Sequence, residues 1–258
     1  MLAVAISLTL PLLGACKEDE DSPTGTGSSA RLAFSSDRDG NIEIYSANAD
    51  GSDVRRLTTS PGDDSDASWS TTGRIAFTST RDGNSEIYSM NADGSDVTRL
   101  TDRVGPDGGP FWSRDGQRIV FRGRPIAPGQ ELDDYRDLLK QGLWRPTSLE
   151  LFVMNRDGSG LRQVTKNGAA NFAPYFTPDG RQIVFASNVA DPRGRNFDVY
   201  LVDVDGTGLE QVTFSDTFDG FPMFSPDGTK LVFASNRNGA KPRDTNVFIA
   251  DWVASPAK

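Results

Sequence analysis

Three features of the sequence predict an all-β fold assembled from several small, similar sheets. The segment 31–45 returns with few changes at 74–88, and shorter copies of its apolar pattern follow three more times. Asp-Gly and Pro-Asp-Gly turns separate short apolar runs, which is typical of antiparallel strands joined by hairpins. Self-similarity at a nearly fixed period is the signature of a repeat architecture. The sequence therefore predicts a β-propeller of about five four-stranded blades, with six blades as the alternative.

Each complete repeat is predicted to contain four strands. The first strand ends in an aromatic residue and leads into a tight turn, best seen as Ser-Pro-Asp-Gly at 225–228, where proline presets the first turn dihedral. The second strand reads Ile-Ala-Phe or Ile-Val-Phe, as expected when neighbouring blades cover both faces of a strand. The third strand carries an aromatic residue, and the fourth ends in Leu-Thr or Val-Thr. A glycine precedes that threonine by seven residues in four repeats, at Gly51 and Thr58, Gly94 and Thr101, Gly158 and Thr165, and Gly206 and Thr213.

The two end repeats are shorter than the others. The first lacks its first strand and the fifth lacks its fourth, so 18 strands are predicted, in groups of three, four, four, four and three. Five complete blades would need 20 strands. If the ring closes incompletely, exposed strand edges are expected to recruit either an N-terminal tether or a second chain.

These repeats resemble those of the TolB-like β-propeller family. The resemblance is carried by the Ser-Pro-Asp-Gly turn, the Ile-Ala-Phe strand and the Asp-Gly-to-Leu-Thr tail, and it extends from Arg31 to about Val253. It implies the fold but little about activity, because propellers host many unrelated functions. The separate N-terminal domain that precedes the propeller in TolB has no counterpart in this sequence, so the role of TolB in the Tol system is not expected here.

The N-terminal residues predict a bacterial lipoprotein. Residues 2–13 form an apolar stretch that is too short to span a bilayer but has the length of a signal peptide. The stretch ends Leu-Gly-Ala-Cys, which resembles a lipobox, and Cys16 is the only cysteine of the chain. We therefore expect a signal peptide at 1–15, a lipid anchor and flexible tether at 16–30, and the propeller at 31–258. The expected location is the cell envelope, on its periplasmic side or at the surface.

Composition narrows the possible functions. The chain has 258 residues, a formal net charge of −9 and no histidine. A nucleic-acid partner is not expected, since such binding depends on a basic surface that contacts phosphates. The absence of histidine excludes triads and metal sites that use imidazole. An acidic surface is compatible with cations or with a basic partner.

Loop lengths identify a variable face. From the third-strand aromatic residue to the next second-strand phenylalanine the spacings are 32, 33, 33 and 33 residues, whereas from that phenylalanine to the next third-strand aromatic they are 11, 11, 31, 15 and 15. The variation therefore falls in the loops between second and third strands. These loops lie on the same face as the connections between blades, because strands alternate in direction. Insertions confined to one face favour a binding face.

Polar residues recur in register on this face. In each of four repeats, one polar residue lies five positions before the first-strand aromatic residue; these are Asp64, Asp107, Asn171 and Asp219. Three arginines occupy the neighbouring loops, namely Arg38, Arg81 and Arg237. Two interpretations stay open. Each Asp either caps loop backbone or pairs with an Arg of an adjacent blade. Alternatively, Asp64, Asp107 and Asp219, together with the Asn171 amide, form a ring that binds a cation such as Ca²⁺ or a basic chain terminus. All seven residues are candidate binding residues for a ligand or partner.

The long insertion in the third repeat predicts the one helix, at Glu131–Trp144. An acidic first turn and leucines at helical spacing indicate it, and prolines flank the segment. The helix either plugs or covers the mouth of the propeller, or it docks a partner or forms a lid over a ligand. Tyr135 and Trp144 are the candidate contact residues in the second case.

The function favoured by these patterns is non-catalytic. We expect a lipid-anchored envelope scaffold that binds a protein, a peptide or an envelope polymer through the variable face. The alternative is a glycosidase of the five-bladed propeller type, which could work with carboxylates alone. Such an enzyme needs two specialised carboxyl groups roughly 5–10 Å apart. The aligned acids look like repeats of one another, which favours binding over catalysis.

Overall fold

The computed structural model describes residues 30–141, 143, 148–241 and 244–253, and places them in five antiparallel sheets. The sheets are the blades, with three, four, four, four and three strands, so the predicted pattern is confirmed. The strands are β1 (Arg31–Ser36), β2 (Glu43–Asn48) and β3 (Arg55–Arg56) in blade 1; β4 (Asp64–Trp69), β5 (Arg74–Ser79), β6 (Glu86–Asn91) and β7 (Thr98–Arg99) in blade 2; β8 (Asp107–Trp112), β9 (Arg118–Gly123), β10 (Glu150–Asn155) and β11 (Arg162–Gln163) in blade 3; β12 (Asn171–Phe176), β13 (Gln182–Ser187), β14 (Asp198–Asp203) and β15 (Glu210–Gln211) in blade 4; and β16 (Asp219–Phe224), β17 (Lys230–Ser235) and β18 (Asn246–Asp251) in blade 5.

Blades pack face to face, as the apolar second strands predict. The second-strand residues Phe77, Phe121 and Phe185 are completely buried, each in a cluster that joins two blades. The first strands β4, β8, β12 and β16 contact one another from blade to blade, so they lie innermost. Among the described strands, none of blade 1 packs extensively on a strand of blade 5.

The recurring Leu-Thr or Val-Thr ending has a structural cause. In blade 1 the hydroxyl of Thr58 accepts a hydrogen bond from the Ile44 amide at 2.9 Å and donates one to the Glu43 carboxylate at 2.5 Å. Arg56 forms an ion pair with the other oxygen of Glu43 at 2.8 Å. Blade 2 repeats this arrangement with Thr101, Ile87, Glu86 and Arg99. The threonine therefore joins the short outer strand to a buried carboxylate, which explains why it recurs at the end of that strand.

The inner strands share a distortion that the sequence did not predict. Each has a register shift in its pairing with the second strand, which is a β-bulge. At this bulge the backbone is left-handed, with φ of 54° at Asp66, 61° at Gly109, 48° at Ala173 and 54° at Phe221. Only one of the four is glycine, so three side chains are held in a region that L-residues disfavour.

Candidate functional site

Two of the predicted ring carboxylates are paired within their own blades. Asp64 begins β4, is fully buried, and accepts a hydrogen bond from the Arg81 guanidinium at 2.8 Å. Asp219 begins β16 and is bonded by Arg237 in the same way. The prediction of pairing between adjacent blades was wrong in this detail: the partner arginine follows the second strand of the same sheet, because that strand ends beside the start of the first.

Each of these arginines also lies on an aromatic pair of its blade. The Arg81 guanidinium carbon is 5.5 Å from the Phe77 ring centre and 4.8 Å from that of Tyr88. Arg38 has the same position in blade 1, at 5.2 Å from Phe34 and 4.8 Å from Tyr45. Blade 1 has no inner strand among the described residues that would supply a carboxylate, and Arg38 is exposed.

Blade 3 reaches the same arrangement with a different arginine, which sequence comparison missed. Arg103, four residues before Asp107, bonds its carboxylate and lies 3.8 Å from the Phe152 ring centre. The position of Ser79 and Ser235 is taken by Gly123, where a Cβ would overlap the Asp107 carboxylate and meet the Arg103 guanidinium at 2.7 Å. The glycine makes room for this placement of the charge pair. An arginine before the acid, together with glycine in place of serine, was the available signal.

Blade 4 has a neutral version of the pair. Asn171 replaces the acid, and Val189 stands where Arg81 and Arg237 stand in their repeats. The Asn171 amide donates to the Leu149 carbonyl at 2.8 Å, and its oxygen accepts from the Ser187 hydroxyl at 2.7 Å. In blades 2 to 5, which have an inner strand, acid and arginine are thus both present or both replaced, which favours a structural role for the charge pair.

The electrostatics of the carboxylates agree with this role. Burial raises the pKa of Asp64, and it raises the pKa of Asp107 to about 6 although Arg103 opposes the shift. Across the described residues, no group of three or more acidic or cysteine side chains is arranged to hold a metal ion. A guanidinium on each of Asp64, Asp107 and Asp219 would also repel a cation. The geometry favours arginine pairs over the calcium ring.

The helix in blade 3 covers loops of blade 2. It spans Gln130–Leu139, so it ends earlier than predicted, and Trp144 lies outside the described residues. Tyr135 is buried with Leu132 and Ile126. Its hydroxyl donates to the Asn84 side-chain oxygen at 2.9 Å and accepts from the Ser85 amide at 3.4 Å. Tyr135 therefore anchors the helix to blade 2 and does not present a surface to a partner.

This anchor can be tested by Tyr135→Phe. The substitution keeps the buried ring but removes the hydroxyl from Asn84 and Ser85, so it should weaken docking of the helix by about 1 kcal/mol. Amide hydrogen exchange should then become several-fold faster in Gln130–Leu139 and stay unchanged in blade 4. Unchanged exchange in the helix would contradict the anchoring role.

A cavity of about 760 Å³ opens on the variable face between blades 4 and 5. Two loops between second and third strands line it, and these are the two whose sequence spacing is 15 residues instead of 11. They bring three cationic side chains to the cavity, namely Arg195, Arg237 and Lys241. Asp216 is the one carboxylate among the described residues that line it. Sequence reasoning named Arg237 but missed Arg195 and Lys241, although both belong to the lengthened loops.

Four phenylalanines form a cluster at the edge of this cavity. Phe172 contacts Phe197 with ring centres 5.0 Å apart and Phe221 at 5.5 Å, and Phe218, which also lines the cavity, is 6.0 Å from Phe221. Phe221 is 49% exposed and is held in the left-handed conformation of the inner-strand bulge. A strained, exposed aromatic residue beside a cavity is a feature of binding sites.

The chemistry of this site suits binding. The cationic side chains outnumber the one exposed carboxylate, so the cavity can attract an anionic group, and the phenylalanine cluster can pack against an apolar one. Glycoside hydrolysis by two carboxyl groups would need a second acid in the cavity. Within the described residues, no helix combines the length and the apolar character that a membrane span requires.

Comparisons with known proteins agree with the fold. TolB from Acinetobacter baumannii matches with a TM-score of 0.67 at 20% identity, over 88% of this chain and 51% of that one, so the chain spans about half the length of that protein. A putative TolB from Agrobacterium tumefaciens has a TM-score of 0.60 at 26% identity, over 87% and 72% of the two chains. An oligogalacturonate lyase from Vibrio parahaemolyticus shares the fold alone, with a TM-score of 0.58 at 16% identity over 88% and 62%.

The sequence itself gives the family. No curated protein matches it. The family model for the TolB beta propeller domain matches residues 13–130 and 137–240, which is most of the sequence. The same repeats form the five blades of the structure. The chain belongs to the TolB β-propeller domain family.

Proposed function

We propose that the protein is a non-catalytic scaffold of the bacterial cell envelope that binds a protein or peptide through its variable face. The observation that carries this proposal is the cavity between blades 4 and 5, formed by the two lengthened loops. Length variation restricted to loops on a regular scaffold is how binding sites commonly diverge. The membership of the TolB family supports a binding scaffold in general.

The charge of the cavity indicates the kind of segment that would bind. The chain as a whole carries −9, yet Arg195, Arg237 and Lys241 converge on one opening. Arg237 is already paired with Asp219, so Arg195 and Lys241, both exposed, are the cations available to a ligand. A peptide that combines a carboxylate with an apolar side chain fits this arrangement, because the carboxylate can meet the cations while the side chain packs beside Phe218 and Phe221.

Selection from a random phage-displayed peptide library tests the proposal. The parent should enrich peptides that carry acidic residues, and Arg195→Glu with Lys241→Glu should bind them at least about tenfold more weakly, since like charges would then face each other. Arg55→Glu, at an exposed site in blade 1, is the matched control and should bind as the parent does. This site would be rejected if the parent enriched no such peptides, or if the double variant bound them as tightly as Arg55→Glu does.

The proposed location depends on Cys16, which lies outside the described residues. We propose that this cysteine is acylated and that the mature chain begins there, as its lipobox-like context suggests. In detergent phase separation the parent should enter the detergent phase, whereas Cys16→Ser should remain in the aqueous phase. Equal partitioning of the two proteins would contradict a lipid anchor.

A further inference from the structure

The inner edge of blade 1 is open among the described residues. In blades 2 to 5 the second strand pairs with a first strand on one side and a third strand on the other, whereas β1, the second strand of its repeat, pairs with β2 alone. In blade 2 the Thr80 amide, just after the second strand, donates to the Asp63 carbonyl at 3.0 Å. Its counterpart in blade 1 is the Asp37 amide, for which the described part of the chain supplies no acceptor.

Arg38 is placed to bind a carboxylate at this open edge. In blade 2 the Ser79 hydroxyl accepts a hydrogen bond from Arg81 Nε at 2.8 Å, and the guanidinium pairs with Asp64 of the first strand. In blade 1 the Ser36 hydroxyl accepts from Arg38 Nε at 2.9 Å in the same way. Ser36 is only half-buried, however, whereas Ser79 is completely buried. The arginine and its serine are therefore in position without the acid that covers them in blade 2.

The residues just before β1 repeat the sequence pattern of a first strand. In blades 3, 4 and 5 an acid or amide residue lies 11 positions before the first residue of the second strand, a proline lies 8 before it, and a serine or threonine lies 5 before it. Counted back from Arg31, Glu20, Pro23 and Thr26 occupy the same three positions. The equivalent residues are Asp107, Pro110 and Ser113, then Asn171, Pro174 and Thr177, and then Asp219, Pro222 and Ser225.

Two of these positions have a clear task in the folded blades. The hydroxyls of Ser113, Thr177 and Ser225 each accept a hydrogen bond from the first amide of the second strand, at 2.9–3.0 Å. Each proline lies inside the bulge of its first strand, where the ladder is interrupted. Proline is tolerated there because no ladder hydrogen bond needs its amide. Pro23 is thus compatible with a strand in this register.

We propose that residues 20–26 form the first strand of blade 1, antiparallel to β1, with the Glu20 carboxylate paired with Arg38. The chain's own segment is the occupant because it directly precedes β1 and reaches the edge through a short turn, as the first strands of blades 2 to 5 reach their second strands. Part of the segment predicted as a tether at 16–30 then belongs to the propeller.

The register follows from the other blades. In blade 5 Asp219 lies opposite Ser235, 16 positions later in the chain, and the same separation places Glu20 opposite Ser36. Gly25 departs from the pattern, since aromatic residues occupy its position in the other repeats. The strand therefore buries less apolar area than its counterparts and is held mainly by backbone hydrogen bonds and the charge pair. Because Arg38 is exposed, the pair adds little to global stability, and local measurements are needed.

Disulfide formation within the full chain tests the register. All variants carry Cys16→Ser, so that the two introduced cysteines are the only thiols. Glu20→Cys with Ser36→Cys should form an intramolecular disulfide on mild oxidation, because residues opposed in a non-hydrogen-bonded antiparallel pair have Cα atoms about 4.5 Å apart.

The matched control combines Glu20→Cys with Leu32→Cys. Its loop is shorter, so a chain without the strand would close it at least as readily. In the proposed register its cysteines are offset by four residues, roughly 13 Å along the sheet, which is too far for a disulfide. The control should therefore give at least about fivefold less intramolecular disulfide. Equal yields from the two pairs would overturn the proposal, and so would a disulfide that joins two copies of the chain in place of the intramolecular one.

Amide hydrogen exchange of β1 in the same Cys16→Ser background tests the charge pair. Glu20→Lys places a second cation beside Arg38, so exchange in Arg31–Ser36 should become several-fold faster. Adding Arg38→Glu reverses the pair and should restore the slower exchange. Glu18→Lys makes the same change of charge two residues before Glu20 and should exchange as the parent does. If Glu20→Lys exchanges no faster than Glu18→Lys, the pairing of Glu20 with Arg38 is wrong.

Discussion

Replacing Arg81 by methionine is expected to lower the free energy of unfolding by about 3 kcal/mol, because it leaves a buried carboxylate without its charge partner. Asp64 is fully buried and Arg81 is its ion-pair partner at 2.8 Å. Methionine keeps most of the packing against Phe77 and Tyr88, so the loss reports mainly the charge. Urea unfolding of the parent and the variant measures it.

Two controls separate the charge pair from general damage. Arg38→Met removes the equivalent arginine from blade 1, where no inner strand among the described residues supplies a carboxylate to pair with it, so it should cost less than about 1 kcal/mol. Asp64→Asn combined with Arg81→Val copies the neutral pair of blade 4 and should recover most of the loss. If the double variant is as unstable as Arg81→Met, the pairing rule inferred from blade 4 is wrong.

The pH dependence has a definite sign. Burial raises the pKa of Asp64 in the folded state, so the folded protein binds a proton more readily than the unfolded chain does. The cost of the buried charge is therefore fully present at neutral pH and is relieved as pH falls towards the unfolded pKa of about 3.9. The difference between Arg81→Met and the parent should shrink from pH 7 to pH 4.

The melting temperature of the parent tests the calcium hypothesis. If Asp64, Asp107 and Asp219 held a cation, calcium would raise the melting temperature of the parent, since a ligand of the folded state stabilises it. The arginine pairs predict instead that calcium leaves the melting temperature unchanged. A calcium-dependent rise that disappears on replacing Asp107 and Asp219 by asparagine would restore the cation site.

Thr101→Val is expected to lower the free energy of unfolding by about 2–4 kcal/mol, although the two side chains have nearly the same shape. The hydroxyl of Thr101 donates to the buried Glu86 carboxylate at 2.5 Å and accepts from the Ile87 amide at 2.9 Å. Valine leaves both groups without this partner, and each buried unsatisfied group costs about 1–3 kcal/mol. Urea unfolding again gives the difference.

Thr98→Val is the matched control for this substitution. Thr98 lies on the same outer strand β7 but is exposed, so the change should stay within about 0.5 kcal/mol. Thr58→Val removes the equivalent hydroxyl from blade 1 and should resemble Thr101→Val. Equal stability of Thr98→Val and Thr101→Val would show that the threonine is not what holds the outer strand to Glu86.

Local patterns account for what sequence reasoning reached correctly. Strand order, the hairpin turns and the short end blades depend on residues within one repeat, such as the Ser52 hydroxyl and amide that cap Asp50 beside Gly51 and hold the Asp50 pKa below its usual value. Comparison of five related copies in one chain made these patterns visible. The same comparison located the variable face, because loop length is a property of the sequence.

Comparison of the sequence repeats did not predict features that depend on contacts between different blades. Arg103 fills the arginine position of blade 3 from a different place in the chain, so alignment of the repeats could not assign it. The left-handed bulge at Ala173 and Phe221 is imposed by packing of the inner strands, since neither residue favours that conformation by itself.

Sequence alone predicted a propeller of about five blades with short blades at both ends and a variable loop face, and the structure settled the number of blades at five. Three features became visible only in the folded protein: the predicted ring acids are paired with arginines, Tyr135 is buried between its helix and blade 2, and the lengthened loops of blades 4 and 5 line an open basic cavity. The two kinds of feature differ in how far apart in the chain the interacting residues are. Turns and strands follow from neighbouring residues, whereas ion pairs and cavities depend on which distant side chains the packing of blades brings together.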